Sequence, residues 1–141
     1  MACPFFMPVK RLEEDGTWLH PARLPLKGGW DGHCCAPGHE GAVLSREDLR
    51  ECNLGYAVNC SRLPHERTCD AIRFSVAQDA SEKLILFFVR ELNHHPVEHG
   101  TLEYDLASAQ WKSCHGDVRV QKMAECYVER YLQCRALSAT A

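Results

Sequence analysis

Residues 70–92, DAIRFSVAQDASEKLILFFVREL, decide the fold. Two runs rich in β-branched and aromatic residues, DAIRFSVA and EKLILFFVREL, flank the polar turn QDAS, a composition that suits paired strands. The second run is almost continuously apolar from Leu84 to Val89. That predicts a central strand covered on both faces over most of its length. Beyond it, NHHPVEH (93–99) reads as a turn and GTLEYDL (100–106) as a third strand. Three strands with short connections predict an antiparallel meander.

Toward the C-terminus, DVRVQKMAECYVERYLQCRAL (117–137) carries Val120, Met123, Ala124, Tyr127, Val128, Tyr131 and Leu132 at helical spacing. Arg119, Lys122, Glu125, Glu129 and Arg130 occupy much of the other side, so an amphipathic helix backs the sheet. Asp117, just after Gly116, is its N-cap. Cys126 and Cys134 border or extend the apolar stripe and read as packing residues.

Toward the N-terminus the texture changes. Residues 20–41, HPARLPLKGGWDGHCCAPGHEG, hold three prolines and five glycines. Such a segment is neither a helix interior nor a central strand and predicts a long ordered loop. One short helix follows, with Ser45 as N-cap and Asp48 completing a capping box. It runs through REDLRECN and stops at Gly55 in the left-handed C-terminal position. The expected fold is α+β: a cysteine-rich, loop-dominated lobe with a short helix (1–69), packed on a three-stranded antiparallel sheet backed by a C-terminal helix (70–141), all in one domain.

The chain has 141 residues, 45% of them hydrophobic and 25% charged, with a formal net charge of -3. That balance argues against a general nucleic-acid binder. No apolar window long enough to span a bilayer occurs, and the opening MACPFFMPVKRLEEDG lacks the basic leader of a signal peptide. Nine cysteines, an odd number, give poor support to a disulfide framework. A reduced, cytoplasmic compartment is therefore expected, where clustered thiols serve as metal ligands, redox groups or small apolar side chains.

Six of the nine cysteines fall within the first 69 residues. Cys3, Cys34 or its neighbour Cys35, Cys52 and Cys60 lie in loops or at a helix end that have little else to bury. A metal centre held by Cys3, Cys34, Cys52 and Cys60 would supply the missing cross-link, because metal binding contributes directly to folding. Between Cys52 and Cys60 the chain must reverse, which Gly55 permits and Asn59 tolerates.

Structural zinc ligands usually come in closely spaced pairs, and the chain has no C-x-x-C. An iron–sulfur cluster can draw four thiolates from separate loops. The expectation is thus a four-cysteine iron–sulfur cluster, 4Fe-4S ahead of 2Fe-2S, with Phe5, Phe6, Trp30, Leu54, Tyr56 and Val58 shielding it. The function that follows is electron transfer, or service as accessory to a larger enzyme, with a protein partner. The alternative is a structural zinc module that binds a protein partner, to which Cys34-x4-His39 and Cys60-x4-His65 would contribute mixed ligands. A third reading, an enzyme using a thiol or histidine of the lobe, lacks a base–nucleophile pair.

Two further groups carry weaker expectations. His94, His95, His99 and Glu98 form a solvated hairpin loop, because Pro96 breaks the helix that would align a metal pair. Arg62, Arg67 and Arg73 follow Cys60 and read as paired surface charge, or as a patch that docks an acidic partner or hydrogen-bonds a cluster. Cys69 belongs to the core, and Cys114 beside His115 is not a nucleophile.

Overall fold

The computed structural model describes residues 2–12, 18, 20–55 and 60–140. Tyr56, Val58 and Asn59, assigned above to shielding and chain reversal, lie outside the described residues. The architecture is mixed α+β, with two antiparallel sheets and two α-helices. Strand β1 (Phe6–Arg11) pairs with β2 (Trp30–Cys34); helix α1 spans Arg46–Leu54. Strands β3 (Ala71–Asp79), β4 (Lys83–Leu92), β5 (His95–Asp105) and β6 (Gln110–Trp111) form the second sheet in that order, and α2 covers Val118–Thr140.

The expected meander is present and gains a fourth strand. β6 pairs only two residues with β5, Trp111 with Tyr104 and Gln110 with Asp105, too few to show alternation in sequence. The stretch 93–99 also differs from expectation. Only Asn93 and His94 turn, both at positive φ (51° and 65°), the backbone a two-residue hairpin requires. His95 onward is strand, and Pro96 sits opposite Glu91 beside a register shift between Arg90 and Glu91, where a missing N–H is tolerated.

β4 is interior to the sheet, but its burial alternates. Leu84, Leu86 and Phe88 are buried while Ile85 and Phe87 are half-buried, so one face carries the core instead of two. On that face lie Val120, Met123, Ala124, Tyr127 and Val128 of α2, with the Phe74 and Tyr127 rings 5.8 Å apart. Asp117 caps α2, its Oδ1 accepting from Arg119 N–H at 2.9 Å. Arg130, assigned to the polar side, is instead buried at 6% exposure. Its Nε–H donates to the Lys27 carbonyl at 3.1 Å, so a charged side chain on the core side ties the two halves together.

The N-terminal lobe is more ordered than its composition predicts. Residues 30–34 are strand because Gly32 lacks a Cβ. A methyl group there would stand 2.0 Å from the Met7 carbonyl oxygen, so glycine is what allows β1 and β2 to approach. A register shift between Pro8 and Lys10 absorbs the proline, as bulges do at sheet edges. Helix α1 has the expected capping box. Ser45 Oγ accepts from Asp48 N–H, and Asp48 Oδ2 accepts from Ser45 N–H. Gly55 ends it at φ 76° but ψ 174°, an extended positive-φ conformation outside the left-handed helical region and essentially glycine's own.

One buried cluster joins both halves, from Ala2, Cys3, Phe6 and Trp30 to Ile72, Leu86 and Met123. Among the described residues no helix is long and apolar enough to cross a membrane.

Candidate metal centre

Four backbone segments converge on one pocket, and each brings a cysteine. Cys3, Cys34, Cys52 and Cys60 all line it. Cys3 stands before β1, pinned from the other half of the molecule because Ala2 and Ile72 exchange backbone hydrogen bonds at 2.7 and 2.9 Å. Cys34 ends β2. Cys52 occupies the last turns of α1, and its carbonyl accepts from Cys3 N–H at 3.2 Å. Cys60 begins the turn that Leu63 N–H closes on the Cys60 carbonyl at 3.2 Å.

A residue absent from the sequence reading holds α1 against β2. Asn53 is 1% exposed. Its Oδ1 accepts from Trp30 N–H at 2.9 Å, and its Nδ2 donates to the carbonyls of Trp30 and Leu49 at 2.9 and 2.7 Å. Every polar function of the amide is satisfied, which is what makes its burial tolerable. No spacing rule in the sequence marks it, because its partners Trp30 and Leu49 are brought together only by the fold.

Two sulfurs receive hydrogen bonds from the backbone. Ala36 N–H donates to Cys34 Sγ at 3.4 Å. The backbone N–H groups of Phe5 and Phe6 favour the Cys3 thiolate, and Phe6 N–H also donates to the Cys3 carbonyl at 3.1 Å. A neutral thiol is a weak acceptor, so donors converging on sulfur suit the ionised form. Burial acts the other way and prevails in the metal-free protein. It pushes Cys3 up to about 11 and Cys52 up to about 12, with the neighbouring cysteine sulfurs adding repulsion in both cases. These thiols therefore ionise only when a cation compensates them.

Size limits what a cation bound there could be. The space admits the centre of a water-sized sphere over about 20 Å³, little more than the ~10–15 Å³ one water needs on this measure. A space of this size suits a compact inorganic body better than an organic cofactor. Among the described residues, no three Cys, His, Asp or Glu side chains are grouped as they would be around a single metal ion. The four cysteines share that pocket.

At the mouth, Arg62 pairs with Asp48 at 3.4 Å, and both line the pocket with Glu51. Of the three arginines, only Arg62 stands there: Arg67 is held by Asp70 and the Pro64 carbonyl, and Arg73 by Glu91. Paired charge, not a single patch, is the arrangement found. Phe5 and Phe6 line the pocket as expected. Trp30 is buried elsewhere, its Nε1–H on the Leu26 carbonyl at 3.3 Å, and Leu54 is 43% exposed, so neither lines it.

The alternatives separate cleanly. Successive side chains at a strand end point apart: Cys34 enters the pocket, while Cys35 lies on the side of Arg119. His39 and His65 are exposed and do not line the pocket. Cys69 is buried, its Sγ–H donating to the Ala71 carbonyl at 3.2 Å. Cys126 is buried in the core and Cys134 is half-buried. Cys114 is exposed, and its neighbour His115 is committed elsewhere. The His115 Nε2–Glu98 Oε1 distance is 2.7 Å, and Nδ1 accepts from Asp117 N–H at 2.9 Å.

No protein-family model matches the chain, and neither a curated protein nor a solved structure matches it.

Proposed function

We propose that Cys3, Cys34, Cys52 and Cys60 hold a compact metal centre, a four-cysteine iron–sulfur cluster, 4Fe-4S ahead of 2Fe-2S. The protein serves in electron transfer, or as accessory to a larger enzyme, in the reducing cytoplasm. One observation carries the reading: four cysteines from four separate segments line a single small pocket. A cluster takes thiolates from a wider perimeter than one ion does and can draw them from separate segments. Four cysteine ligands leave no open coordination position, which suits electron transfer more than substrate activation. The redox partner is a protein that docks at the mouth, where Asp48, Glu51 and Arg62 stand. Zinc is the second reading, favoured by the small volume of the space, with the chain then acting as a protein-interaction module.

Anaerobic purification followed by iron, sulfide and zinc analysis tests both. Brown protein with iron and acid-labile sulfide supports the cluster, and one equivalent of zinc in colourless protein supports the alternative. Metal-free protein whose fold survives Cys52→Ala with Cys60→Ala contradicts both.

A further inference from the structure

A second concavity lies on the other half of the molecule, where β5 and β6 meet α2. It spans about 450 Å³, within the size range of small-ligand sites. Tyr104 and Trp111, cross-strand partners, form one wall with ring centroids 5.1 Å apart and planes at 62°. Val128 and Leu132 of α2 supply an apolar floor, and Glu125 and Glu129, one turn apart on the same helix, supply a carboxylate rim. Like charges at this spacing repel. Among the described residues no Lys, Arg or His forms an ion pair with either glutamate, while Lys112, just after β6, is turned to Glu103 at 3.9 Å.

An edge-to-face aromatic pair, an apolar floor and two carboxylates outside any ion pair match one ligand chemistry. Aromatic rings attract cations through their negative faces, and quaternary ammonium groups are taken up by walls of this kind. The carboxylates complement the charge, and the floor accepts a short alkyl stem. We propose that this groove binds a small organic cation of the alkylammonium class, independently of the cysteine pocket. Its size suits one head group and stem and not a folded partner.

The test is calorimetric titration of the full chain with butyltrimethylammonium chloride, with sodium chloride at equal ionic strength as control. Amide NMR shifts locate the site. Saturable binding is expected, with shifts confined to Tyr104, Trp111 and residues 125–133. Glu125→Gln with Glu129→Gln, both at exposed positions that do not threaten the fold, should weaken it about tenfold, and Trp111→Leu by a similar factor, in line with a cation held by rings and charge. Binding no stronger than sodium, or binding unchanged in the double glutamine variant, would overturn the proposal. So would a trimethyllysine peptide that binds more than tenfold tighter than the free cation, since the groove would then be a peptide site.

Discussion

The two halves of this chain are held together by different means. From residue 71 onward, four strands and a long helix bury Leu84, Leu86, Ile72 and Met123, and apolar burial does most of the stabilising. Before it, a two-stranded hairpin, one short helix and several turns bury a smaller apolar set that includes Phe6, Leu26, Trp30 and Leu49, and they rely also on a few polar contacts. These are the Asn53 amide, the Cys3–Cys52 backbone bond and the link from Cys35 N–H to the Phe5 carbonyl at 2.7 Å. The contrast teaches where ligand binding and folding are coupled. A half with its own ladders needs no cross-link, whereas one whose segments converge on four thiols gains most from one.

The largest effect should come from breaking the centre itself. Cys52→Ala with Cys60→Ala removes two of the proposed ligands, and structural metal sites contribute on the order of 10 kcal/mol. Hydrogen exchange should then rise through β1, β2 and α1 while β4 and β5 stay protected. Uniform loss of protection across both halves would show that they are not separable in this way.

Core truncation should behave oppositely. Leu86, 0% exposed, changed to alanine should cost about 2–5 kcal/mol and lower denaturant stability equally with and without metal. Asn53→Ala comes next, at roughly 1–3 kcal/mol for the Trp30 N–H and carbonyl left without partners. Its distinguishing mark is weaker metal retention, which Leu86→Ala should not share.

The thiols add a pH dependence with a definite sign. Cys3 and Cys52 sit at about 11 and about 12 in the folded metal-free protein, above the ordinary 9.0. The folded chain holds these protons more tightly than the unfolded one. Their contribution is therefore fully present below pH 9 and is lost as pH rises through 11 and 12. Binding of the proposed metal would release the same protons, so affinity should climb with pH in a chelator competition. Metal-free protein whose stability is flat in alkali would contradict the burial assigned to these sulfurs. The smallest effect is Ser45→Ala, about 1 kcal/mol from the lost cap, read as a lower denaturation midpoint.

Much of the second half was legible because its residues follow a period. The apolar stripe of α2 and the runs of β3 and β4 announced themselves, and so did the Ser45 cap, whose chemistry is local. The β1–β2 hairpin was not legible. Its strand signal is interrupted by Pro8 and Gly32, and glycine is needed there for an approach to the Met7 carbonyl that only three dimensions reveal. Arg130 was placed on the wrong face for a related reason: its burial depends on the Lys27 carbonyl, 103 positions away. The four pocket cysteines could be named because loops rich in proline and glycine leave few other reasons for so many thiols. Asn53 and the N–H groups aimed at sulfur could not, since neither has a spacing rule.

The most direct measurement is metal and sulfide analysis of anaerobically purified protein beside the Cys3→Ser, Cys34→Ser, Cys52→Ser and Cys60→Ser variants, with Cys35→Ser and Cys69→Ser as controls. The account predicts iron with acid-labile sulfide in the parent and both controls, and its loss or marked reduction in each of the four pocket variants. Equal metal content in pocket and control variants, or none in any of them, would contradict it.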